Sequence, residues 1–107
     1  MAIQRPPRHL SPEAKTLWKA ILEEYDLEPA ELSILKVALE SYDRAQVCRQ
    51  QVSDEGVTVT APSGFIRAHP ALTAEKQAHT IYLQSMRLLK FGEEPLQHGP
   101  GRPAGRR

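Results

Sequence analysis

The chain has 107 residues, 40% of them apolar and 25% charged, with a formal net charge of +1, the size and balance of one soluble globular domain. A single cysteine, Cys48, excludes an internal disulfide and a cysteine-rich zinc site and fits a reducing compartment. No apolar run approaches the ~18 residues of a membrane span, and the opening Met-Ala-Ile-Gln-Arg-Pro-Pro-Arg lacks the apolar segment of a secretory signal, so a cytoplasmic protein with no membrane partner is expected.

The near-neutral total conceals a charge division. Residues 11–56 hold five basic and ten acidic residues, whereas residues 57–92 hold Arg67, Lys76, Arg87 and Lys90 against Glu75 alone. An acidic half is joined to a basic half. Residues 1–10, with Arg5, Pro6, Pro7 and Arg8, and residues 95–107, with Pro95, Pro100, Pro103 and the arginines Arg102, Arg106 and Arg107, have little to bury against the entropy of ordering. The expected organisation is therefore a flexible basic arm over 1–10, one helical domain over 11–94 and a flexible Pro/Gly/Arg tail over 95–107.

The first helix opens on Ser11 as N-cap, Pro12 at the first helical position and Glu13 in the first turn. Ala14, Leu17, Trp18, Ile21, Leu22 and Tyr25 form one stripe at helical spacing. Pro29 starts a second, longer helix that runs to about Asp54 and stops before Gly56. Its apolar positions sweep roughly 220°, against ~100° for an ordinary surface helix. Such a helix is either central in the domain or partly an interface between subunits. Leu35, Val37, Leu39 and Tyr42 are the candidate interface residues.

The period then changes. Val57-Thr58-Val59-Thr60 suits a strand, Ala61-Pro62-Ser63-Gly64 a turn, and Phe65-Ile66-Arg67-Ala68 an antiparallel return. This small β-hairpin, near 57–68, needs something to pack on. His69-Pro70 opens a third helix, with His69 as a capping or packing residue. That helix runs to about Phe91, and Gly92 is placed to cap it. The fold class is mainly α: a helical hairpin, a β-hairpin and a third helix.

No phosphate-binding glycine loop, His-Glu-x-x-His or Gly-x-Ser-x-Gly motif occurs. His9, His69, His79 and His98 are scattered. The sequence therefore offers no catalytic residue, metal site or cofactor site. A basic stripe is the stronger feature. Lys76, Arg87 and Lys90 fall within about 60° of one another on the third helix, with Arg67 just before it. Repeated around an oligomer, such a stripe would attract DNA phosphates without reading sequence. Arg5, Arg8, Arg102, Arg106 and Arg107 are weaker candidates for the same role. The acidic run Glu23, Glu24, Asp26, Glu28 and Glu31 serves chiefly the start of helix two. It also argues against helix two as a DNA-reading helix of a helix-turn-helix, since such a helix needs Arg, Lys, Asn or Gln at its beginning.

The order of parts carries a resemblance. Leu10-Ser11-Pro12-Glu13-Ala14, Leu17-Trp18, Tyr42, Gly56-Val57-Thr58-Val59, Pro62-Ser63-Gly64, His69-Pro70-Ala71-Leu72 and Leu88-Leu89-Lys90-Phe91-Gly92 follow one another in a way that resembles the small terminase subunits of tailed phages, the terminase-4 family. The resemblance covers about residues 10–95. It implies a non-enzymatic, ring-forming homo-oligomer that recognises double-stranded viral DNA in the host cytoplasm. It also implies regulation of the large terminase subunit, which carries the ATPase and nuclease. Two other readings stay open: a dimeric helix-turn-helix-like regulator, and a protein-only adaptor without DNA affinity.

Overall fold

A computed structural model describes residues 5–90. The elements in chain order are α1 (Pro12–Glu24), α2 (Pro29–Glu55), β1 (Thr58–Thr60), β2 (Ile66–Ala68) and α3 (Pro70–Leu89). The mainly helical class, with three helices and one small antiparallel sheet, is as expected.

Local chemistry sets each boundary. The Ser11 hydroxyl oxygen accepts from the Ala14 N–H at 3.1 Å, filling one of the orphan donors of a helix start. The same hydroxyl donates to Asp43 Oδ1 at 2.6 Å, and the Ser11 N–H donates to Asp43 Oδ2 at 2.8 Å. One carboxylate on α2 thus holds the N-cap of α1. At the start of α2, the Glu28 N–H donates to the Glu31 carboxylate at 2.8 Å, half of a capping box. Gly56 ends α2 at φ 90, ψ 166, a region open in practice only to glycine. Gly64, at φ 88, turns the hairpin. The hairpin pairs Thr58 with Ala68, Val59 with Arg67 and Thr60 with Ile66. Its base is closed by the His69 N–H donating to the Val57 carbonyl at 2.8 Å.

His69 caps α3. Its Nδ1 accepts from the Ala71 N–H at 3.0 Å, so the ring proton sits on Nε2 and is directed at Glu55 Oε1, 2.6 Å away. The far end of α3 differs from expectation. The left-handed residue is Lys90, at φ 55, ψ 39, and its N–H bonds back to the Arg87 and Met86 carbonyls. The chain leaves the helix two residues before Gly92, which lies outside the described residues.

α2 and α3 form an antiparallel pair in a constant register. Glu55 meets His69, Arg49 meets Glu75 at 3.2 Å, and the rings of Tyr42 and Tyr82 lie 5.5 Å apart. Further on, Leu35 and Leu89 share one cluster. Along this seam the buried positions are mostly small: Ala38, Ser41, Ala45 and Cys48 on α2, Ala71, Ala78 and Ser85 on α3. Small side chains let two helix backbones approach closely, at the short end of the 8–10 Å range. α1 lies across the α2 flank that carries Leu35 and Leu39, where Leu10, Ala14, Trp18 and Leu89 complete the main cluster.

One expectation needs correction. Leu35 and Leu39 are 0% exposed, so they form the protomer's own core and are closed to a second copy. The wide apolar sweep of α2 reflects two intramolecular neighbours, α1 and α3. Of the four candidate interface residues, Val37 is 46% exposed and Tyr42 half-buried. The expected arm over 1–10 lies partly outside the described residues. Leu10 is buried in the main cluster, and its N–H donates to the Pro7 carbonyl at 3.3 Å. The structure therefore engages the chain before Ser11. The expected tail over 95–107, and Arg102, Arg106 and Arg107 with it, lies outside the described residues.

Two consequences can be measured. Asp43→Ala removes both acceptors for Ser11, leaving a half-buried N–H and hydroxyl without their partner. The expected loss is about 1–3 kcal/mol of unfolding free energy in chemical denaturation. The second concerns pH. Burial, then the nearby Glu13 carboxylate, pushes the Tyr42 phenol above its ordinary value of 10.0. A folded-state value above the unfolded one gives stability that is fully present below about pH 10 and is lost as pH rises through the folded value. Denaturation midpoints are therefore expected to fall above pH 10, and less steeply in Tyr42→Phe.

Candidate nucleic-acid interface

On α3 the seam with α2 runs through Ala71, Ala78, Ser85 and Leu89. Lys76 and Arg87 lie on the opposite side of the helix by the 100° step, and both are exposed. Eleven residues separate them, about 16 Å along the axis. Thr73, Thr80 and Leu83 lie on the same outer face, also exposed. Lys90 continues the line at the helix end, and Arg67 stands exposed on β2, cross-strand from Val59.

The electrostatics of this face follow from one pairing. Glu75 is the single acidic residue between Gly56 and Lys90, and Arg49 of α2 holds it at 3.2 Å. The other close acid–base pairs among the described residues are His9 with Glu40 and His69 with Glu55, each at 2.6 Å. None of the three pairs uses Arg67, Lys76, Arg87 or Lys90. Their charges stay directed to solvent, where they sum rather than cancel.

The structure does not bring Arg5 and Arg8 to this stripe. Arg5 and Arg8 are exposed, but His9 is hydrogen-bonded to Glu40, on a flank of α2 turned away from α3. An open depression of about 410 Å³ there is lined by His9, Glu40, Asp43, Arg44 and Val47. Both Asp43 oxygens are occupied by Ser11, and His9 is exposed. The acidic residues Glu23, Glu24, Asp26 and Glu28 are exposed around the α1–α2 turn, so the start of α2 repels phosphate. Among the described residues no three His, Cys, Asp or Glu side chains converge as a metal site would require. No described helix is long and apolar enough to cross a membrane.

Sequence reasoning missed the Arg49–Glu75 pair, which leaves the outer face of α3 uniformly basic. The partners lie 26 positions apart, and no local spacing signals such a contact.

Compared with known families, residues 14–92 match the family described as phage terminase, small subunit. The chain belongs to the phage terminase small-subunit family. Comparisons with curated proteins and with solved structures give no significant match. The match spans all three helices and the β-hairpin, from the first turn of α1 to beyond α3. Terminase small subunits serve phage DNA packaging and are in general regulatory rather than catalytic.

Proposed function

We propose that this chain is the DNA-handling small subunit of a phage or prophage packaging motor. Copies assemble into a ring-like homo-oligomer, and the repeated stripe of Arg67, Lys76, Arg87 and Lys90 holds the phosphates of double-stranded viral DNA. The ring presents that DNA to the large terminase subunit and stimulates its ATPase and nuclease in the host cytoplasm. The chain itself carries out no chemistry and uses no cofactor.

One observation carries the reading. A line of exposed cations occupies the side of α3 turned away from α2, and the single nearby carboxylate is held by Arg49. Phosphate contacts of this kind position a duplex without specifying its sequence. Titration of duplex DNA against salt tests it. Binding at low salt that weakens linearly on a log–log plot is expected. Absence of salt-dependent binding would favour the protein-only adaptor. A dimer tight on a palindromic site would favour the helix-turn-helix regulator, although the acidic start of α2 speaks against that.

A further inference from the structure

The outer side of α3 carries a second row of side chains beside its cations. The seam with α2 runs through Ala71, Ala78 and Ser85, and Tyr82 and Met86 pack against the main cluster. At 100° per residue these share one side of the helix. Glu75 lies on that side too, held by Arg49 at 3.2 Å. On the other side Thr73, Gln77, Thr80 and Gln84 follow one another at steps of four, three and four residues, and all are exposed. Those steps keep them in one row, within about 60° of one another. Lys76, Leu83 and Arg87, also exposed, form the adjoining row.

The row is free to bond outward. The Thr80 hydroxyl donates to the Lys76 carbonyl at 2.9 Å, and its oxygen can still accept. Among the described residues neither glutamine amide has an intramolecular hydrogen bond. An ordinary solvated face mixes charges of both signs. This one has amides, hydroxyls and cations, and Glu75 is the only carboxylate on α3. The start of α2, with Glu28 and Glu31, is the opposite case.

We propose that α3 is a base-reading helix. The Gln77 and Gln84 amides bond adenine edges in the major groove of duplex DNA, while Lys76 and Arg87 hold the flanking phosphates. This deepens the DNA-holding role above and rests on it. The major groove, about 12 Å wide, admits an α-helix, and a side-chain amide supplies the acceptor and donor that match adenine N6 and N7. The two glutamines are seven residues apart, about 10.5 Å along the axis, or roughly three base-pair steps of 3.4 Å. Thr80 stands between them, and a threonine hydroxyl bonds several base edges. Cations at the phosphates fix the register of the helix, and the glutamines supply the sequence preference that phosphate contacts lack.

Selection of bound duplexes from a random-sequence pool by the full-length protein tests this role. Wild type is expected to enrich a motif with two adenines about three base pairs apart. Gln77→Ala/Gln84→Ala is expected to bind an unselected duplex within about twofold of wild type, with the same salt slope. It should lose about tenfold or more of the preference for the selected duplex. Both positions are exposed and alanine is the better helix former, so circular dichroism should not change. Gln84→Arg should move the preferred base from adenine to guanine at one position, since arginine pairs with guanine O6 and N7. Salt-dependent binding with no enriched motif would overturn base reading and leave the phosphate-holding role standing. An enriched motif whose preference survives in the double glutamine variant would also overturn it, by placing recognition on another element. No binding to duplex at any salt would sink the DNA-holding role and base reading with it.

Discussion

Lys76→Glu/Arg87→Glu is expected to lower affinity for duplex DNA at least tenfold at about 0.1 M salt. Both side chains are exposed, and neither takes part in a close ion pair, so their charge is available to phosphate in full. Each phosphate contact contributes about 0.9 to the slope of log affinity against log salt. On the proposed reading, reversal removes two contacts per subunit and adds two repulsions, so both the slope and the affinity should fall. The loss should be uniform across DNA sequences, because phosphate contacts carry no sequence information. The fold should be spared, since surface changes away from caps, cores and ion pairs usually stay within about 0.5 kcal/mol. Unchanged binding at low salt, with unchanged oligomer mass and thermal unfolding, would remove the stripe from the DNA contact.

Much of this architecture is legible in the sequence because punctuation residues mark it. Ser11-Pro12, Pro29, Gly56, Gly64 and Pro70 each impose a backbone geometry that no tertiary contact needs to supply. The element bounds accordingly fall within a residue or two of expectation. The basic stripe was also legible, since helical phase alone groups Lys76, Arg87 and Lys90. What stayed hidden depends on partners distant in sequence. An apolar sweep of roughly 220° reads the same for a helix wedged between two neighbours as for one at a subunit interface. Only tertiary packing assigns Leu35 and Leu39 to the core and leaves Val37 outside. The seam between α2 and α3 escaped notice for a related reason. Its buried Ser41 and Ser85 are polar, and its alanines weigh little in a hydrophobic pattern. Leu10 was lost among prolines and arginines. The left-handed Lys90 has no local signal at all, because Gly92 is the residue that chemistry would choose for that position.

The reassignment of Leu39 carries the second large expected effect. Leu39 is fully enclosed among Trp18, Leu35 and Leu89, with none of the freedom to collapse that an edge site has. Leu39→Ala removes the transfer energy of its methyl groups and opens a cavity, a cost of about 2–5 kcal/mol. At roughly 4–8 °C per kcal/mol for a domain this small, the melting temperature should fall by on the order of 10 °C or more. Val37→Ser, two positions away on the exposed flank, should move it by less than about 0.5 kcal/mol. Had these residues formed one interface, as the sequence pattern suggested, both changes would act on oligomer mass and neither strongly on the protomer. The core assignment demands the reverse for Leu39: destabilisation that persists when the protein is diluted below any association threshold. Equal and small melting shifts for Leu39→Ala and Val37→Ser would contradict that assignment.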